Sequence, residues 1–178
     1  MKNKLKFVLF FVFFSTLTFA NVSLPSVFAS NMVLQRNTEV TIWGWASPGE
    51  EVVLTPSWNA TAYKIKTGNQ AKWEIKVPTP KEGGPYTIKI KGYNELVLEN
   101  ILIGEVWLCS GQSNMEMSAS WGIKEGDLEV EKANNPSIRF FTVPKTTAIY
   151  PQNNVTANWQ ECRPETMKYS SAVAYFFA

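Results

Sequence analysis

The 178-residue chain is 45% hydrophobic and 18% charged, a globular balance that excludes a disordered or fibrous polypeptide. Its formal charge of +2 comes from the first few residues: 17 basic residues less Lys2, Lys4 and Lys6 leave 14 against 15 acidic ones, so no basic patch remains for nucleic acid or an anionic membrane. With no histidine, two cysteines and no C-x-x-C pair, zinc chemistry is excluded and no cofactor is expected.

In chain order, residues 1–20 come first and have the composition of a leader. Three lysines precede an apolar run over residues 7–19, and Ala20 supplies the small residue at which a signal peptidase cuts. The run is shorter than the ~18 residues of a membrane-spanning helix. The expectation is therefore a cleaved signal peptide, a secreted or periplasmic protein, and no membrane attachment after cleavage.

Residues 21–103 carry a period-two signal broken by turn residues. Residues 40–45 predict a strand, and Ser47-Pro48-Gly49-Glu50 turns it back into residues 51–55. Further strands are predicted where Tyr63 and Ile65, then Trp73, Ile75 and Val77, then Tyr86, Ile88 and Ile90 alternate with polar residues. Short strands with one apolar face predict an antiparallel β-sandwich domain over 21–103. Trp43, Trp45, Trp58 and Trp73 suit stacking on sugar rings, but a domain this small needs bulky side chains inside, so core packing is the expectation for each.

At Gly104 the pattern changes. Residues 106–109 are apolar on both faces, which predicts a central strand covered by helices, with Cys109 a buried free thiol rather than half of a disulfide. Residues 115–133 are mixed and partly helical, with Trp121-Gly122 as an interruption. Asn134-Asn135-Pro136 breaks the chain, residues 138–143 predict a second strand stopped by Pro144, and residues 145–165 predict loop. Ser170 or Ser171 caps a final helix over 172–178. Two strands are too few for a doubly wound sheet, which leads to the expectation that the chain is a fragment, or an early-terminated product, of a longer protein, with residues 104–178 an incomplete domain.

The segment Ser110-Gly111-Gln112-Ser113-Asn114 links the first predicted strand of that region to a helix. Gly111 permits a tight bend, and Ser113 would stand at the first turn, where main-chain N–H groups can hold a developing oxyanion. On these residues alone Ser113 serves either as a nucleophile or as a helix N-cap. Gln112, Asn114 and Glu116 flank it, either orienting the turn or contacting substrate. Glu105 is expected to be structural.

The run G-E-V-W-L-C-S-G-Q-S-N-M-E-M, residues 104–117, closely resembles the first conserved block of the SGNH-type hydrolases, in the branch of the sialate O-acetylesterases and related carbohydrate acetylesterases. Residues 24–36 with Trp43-Gly44-Trp45-Ala46 resemble the usual start of that family. Residues 159–166 with 171–177 resemble the helix after its nucleophile region. The resemblance implies a β-sandwich beside an α/β/α, flavodoxin-like SGNH domain. It also implies secretion, an O-acetylated carbohydrate as substrate, and Ser113 as nucleophile and main-chain oxyanion donor. The family's histidine and aspartate lie in a D-x-x-H block that this chain does not contain, so these 178 residues alone are expected to be inactive. A non-catalytic carbohydrate-binding β-sandwich with a vestigial hydrolase segment is the alternative.

Overall fold

The computed structural model describes residues 21–178; the predicted signal peptide, residues 1–20, lies outside the described residues. Seven strands come first: β1 (Val33–Gln35), β2 (Glu39–Trp45), β3 (Glu51–Pro56), β4 (Tyr63–Lys66), β5 (Lys72–Pro78), β6 (Gly83–Lys91) and β7 (Glu95–Gly104). Five of them form one sheet in the order β1-β7-β6-β3-β4, and β2 pairs antiparallel with β5 in a second. Only the β1–β7 pair in the larger sheet is parallel.

The two sheets bury one shared core. Register Val40↔Val77 and Ile42↔Ile75 puts the apolar members of the β2–β5 ribbon on one face. Against them lie Val52 and Leu54 of β3, Ile88 and Ile90 of β6, and Ile101 and Ile103 of β7. The alternation in β5 is complete: Trp73, Ile75 and Val77 are buried and Lys72, Glu74 and Lys76 exposed, as period two requires.

Among the tryptophans, Trp73 is core at 3% exposure, and Trp58 packs half-buried against the core. Trp43 and Trp45 depart from expectation. They point away from the buried face of β2, which Ile42 and Gly44 occupy, and meet edge to face at 5.3 Å, with Phe28 against Trp43. Gly44 explains why no larger residue competes for the inner face: a Cβ there would fall 2.2 Å from the Ser23 carbonyl oxygen.

β7 is a strand that the pattern did not single out. Its buried residues are Leu98, Ile101 and Ile103, a spacing of three and then two. Asn100, at φ 55°, shifts the register between the pairs Ile88↔Leu98 and Tyr86↔Ile101. A bulge of this kind inserts a residue and breaks the period-two signature.

After Gly104 come α1 (Ser113–Glu116), a 3₁₀ turn (Ala119–Trp121), α2 (Gly126–Lys132), β8 (Asn135–Phe141), β9 (Trp159–Cys162), α3 (Pro164–Met167) and α4 (Ala172–Phe177). β8 and β9 form an antiparallel hairpin, so β9 and α3 occupy part of what the sequence predicts as loop. Ala119, Ala133, Cys162 and Met167 form a small second core.

Residues 106–109 do not form the predicted buried strand. They are irregular and exposed, Leu108 at 92%, and Cys109 is correspondingly an exposed rather than a buried thiol. The physical reason is that a segment apolar on both faces keeps strand geometry only with ladder partners at its edges and cover on both sides. Among the described residues no strand pairs with it. Cys162 is buried, and both cysteines are free.

The described fold is thus mostly β, and none of its helices is long and apolar enough to cross a membrane. The hairpin is fastened to the larger sheet. Arg139 of β8, only 3% exposed at its side chain, pairs with Glu161 of β9 at 3.3 Å and donates to the Asn100 side-chain oxygen. Trp159 donates its indole N–H to the Val27 carbonyl at 2.8 Å, and the Ser26 hydroxyl donates to the Val155 carbonyl.

Candidate functional site

The chain leaves β7 through an ionic junction. Arg36 lies between Glu82 at 2.7 Å and Glu105 at 2.6 Å, and Gln35 donates to the other Glu105 oxygen. The Gln35 amide and then the Arg36 guanidinium hold the Glu105 carboxyl below the usual carboxylate range. Glu105 thus ties the start of this segment to β1 and the residue after it. The Val106 N–H donates to the Gln35 side-chain oxygen, which sets the direction in which residues 106–112 depart.

The bend before α1 depends on Gly111. A Cβ at that position would lie 2.9 Å from Met115 Cβ, an atom too close to the backbone to move aside easily. Gln112 is the N-cap by position, and its carbonyl accepts from the N–H groups of Met115 and Glu116, but its side chain makes no capping bond. Ser113 is the first residue inside the helix. It is therefore not the cap, one of the two roles its local sequence allowed. Its side chain is exposed, and its hydroxyl has no hydrogen bond among the described residues.

The other end of α1 is tied to α4. The Ser171 hydroxyl donates to the Met115 carbonyl at 2.5 Å and accepts the Ala174 N–H at 3.2 Å. The Ala172 N–H donates to the Met117 carbonyl, and Ser118 and Ser171 form an isolated antiparallel bridge. A hydroxyl both donates and accepts, so Ser171 caps α4 and anchors the serine turn at once. The sequence offers Ser170 or Ser171 as the cap, and the structure gives the role to Ser171; nothing local in the sequence shows the second bond, which spans 56 positions.

An open groove of about 1360 Å³ runs past this turn. Residues 106–113, residues 137–145, Phe177 and Ala178 are among those that line it. Trp107 meets Phe177 edge to face at 5.0 Å. Of the predicted site residues, Gln112, Ser113 and Glu116 line the groove, whereas Asn114 is exposed outside it. Glu116 is ion-paired with Lys145 from the loop after β8. No group of three or more His, Cys, Asp or Glu side chains able to hold a metal occurs among the described residues.

The arrangement offers a serine hydroxyl without an internal partner, at the first turn of a helix whose leading N–H groups lack intrahelical acceptors. No imidazole stands beside it, because the chain has none.

No family model matches the chain. The sialate O-acetylesterase of Pongo abelii is 30% identical over 166 residues, covering 83% of this chain and 32% of that protein. The human sialate O-acetylesterase is 29% identical over the same shares of the two chains. Among solved structures, a carbohydrate acetylesterase from Xanthomonas citri superposes with a TM-score of 0.83 at 33% identity, covering 88% of this chain and 36% of that one. The chain thus spans about a third of the length of the curated relatives it matches.

Proposed function

The chain belongs to the sialate and carbohydrate acetylesterase family, and from that premise we propose that it carries the nucleophile segment of a secreted serine esterase that removes O-acetyl groups from sugars. The observation that carries the proposal is Ser113: exposed, inside rather than capping α1, its hydroxyl uncommitted, and facing a groove. The two sheets closing on one core support a β-sandwich for residues 21–103, with residues 104–178 contributing to an SGNH-type α/β/α domain. The leader-like composition of residues 1–20 supports export.

In the proposed reaction Ser113 Oγ attacks the acetyl carbonyl carbon as a histidine base takes its proton. The oxyanion of the tetrahedral intermediate accepts the Ser113 main-chain N–H, a donor worth about 3 kcal/mol in such sites. The C–O bond to the sugar then breaks, the sugar oxygen regains a proton, and water hydrolyses the acetyl-serine. Because these 178 residues contain no histidine, the proposed reaction requires a base from polypeptide outside them.

The test is acetate release from O-acetylated sugars by the protein that includes the base. Ser113→Ala is expected to lower kcat by about 10³-fold or more. Undiminished release in that variant overturns the assignment.

A further inference from the structure

We propose that Lys145 neutralises the Glu116 carboxylate so that the Ser113 turn can hold an oxyanion; this rests on the esterase reading and adds a residue outside the serine segment on which the rate depends. Ser113 and Glu116 are the first and last residues of α1, three positions apart, and the Glu116 N–H donates to the Gln112 carbonyl at 3.1 Å. Residues three apart on a helix are neighbours on one face, and helical side chains tilt toward the N-terminus. Helix geometry thus puts the Glu116 carboxylate on the serine side of α1, and both residues line the groove. Lys145 lines it too, carried there by the chain that leaves β8, and pairs with that carboxylate.

The charges along the groove point to neutralisation rather than a tether. Glu82 and Glu105 share Arg36, and Arg139 faces Glu161. Among the described residues Lys145 is the one cation paired with Glu116. Both side chains are well exposed, Lys145 at 78% and Glu116 at 43%, and such a pair contributes little to stability. What it changes is the field at Ser113. The oxyanion of the proposed reaction gathers negative charge at the Ser113 main-chain N–H, and an unpaired carboxylate one turn away opposes it. A cation held on that carboxylate cancels most of the repulsion. Lys145 therefore acts through Glu116 and touches no reacting atom.

The experiment uses the protein that includes the base, with 4-nitrophenyl acetate, a neutral ester, as the probe. Lys145→Met leaves the carboxylate bare and is expected to lower kcat about fivefold with KM held. Glu116→Gln removes the opposing charge and is expected to lower kcat far less, and the two changes together to regain most of the loss. The Lys145→Met loss should also shrink as salt rises from about 0.05 to about 0.5 M, because screening weakens an exposed charge. A tether fails alike whichever partner is removed, so equal losses in the two single variants, unrelieved by salt, overturn the proposal. An unchanged kcat in Lys145→Met overturns it too. Ser113→Ala is measured alongside. If it abolishes release while Lys145→Met keeps the wild-type rate, neutralisation alone is refuted; undiminished release in Ser113→Ala overturns the esterase reading and this inference with it.

Discussion

Thr67 Oγ1 is buried with no hydrogen-bond partner among the described residues. The main chain around it is satisfied: the Thr67 N–H donates to the Glu50 carbonyl at 2.8 Å and its own carbonyl accepts the Gly49 N–H at 2.9 Å. The hydroxyl therefore bears a desolvation cost that no bond offsets. Thr67→Val keeps the shape and removes that cost, so it is expected to stabilise the protein by about 1 kcal/mol, raising the unfolding midpoint by about 2–4 °C. A destabilised variant in thermal melts refutes this. Glycines also act at single positions: a Cβ on Gly92 would meet Glu50 Oε1 at 2.2 Å, which is why the buried Glu50 carboxylate can approach the turn and accept the Tyr93 N–H.

Among the elements, α1 and α4 are short, at four and six residues, and neither is long enough to persist on its own. Each is held by the other, chiefly through Ser171. Ser171→Ala removes an N-cap, expected to cost about 1 kcal/mol, and also the bond to the Met115 carbonyl. A simple cap loss would free only α4. The double role predicts that amide exchange at Met117, whose N–H closes α1 onto the Ser113 carbonyl, accelerates as well, while the β2–β5 ribbon is unaffected. Protection retained at Met117 shows the tether to be unimportant.

For the whole molecule, the decisive contact is the cluster that joins the hairpin to the large sheet. The Arg163 hydrogen bond first, then the Asn100 amide and the Arg139 charge, hold the Glu161 carboxyl below the usual carboxylate range. Burial in turn pushes the Arg139 guanidinium down from its ordinary value, opposed by Glu161. A carboxyl whose folded pKa is depressed adds stability that is fully present above its unfolded pKa, about 4.3, and is lost as pH falls through the folded value. Glu161→Gln is therefore expected to be less stable than wild type at neutral pH, with the gap closing below about pH 4.3. A gap constant across that range, read from denaturant unfolding at several pH values, refutes the role of the charge.

The sequence by itself determined what a single segment determines. β2, β5 and β6 were legible because period two is written into their own residues, and Gly111-Gln112-Ser113 announced a bend with a presented serine. The resemblance of residues 104–117 to an esterase block was likewise local. Tertiary structure alone decided the rest. Trp73 is core while Trp43 and Trp45 face outward, since a strand's pattern gives two faces and only the opposing sheet selects which is buried. Asn100 disguised β7 because a bulge is defined by the partner strand's register. Residues 106–109 lie exposed because an apolar run becomes a central strand only when other strands flank it. The Ser171 anchor and the Arg139–Glu161 contact join residues far apart in the chain, and such bonds have no signature until the fold brings their partners together.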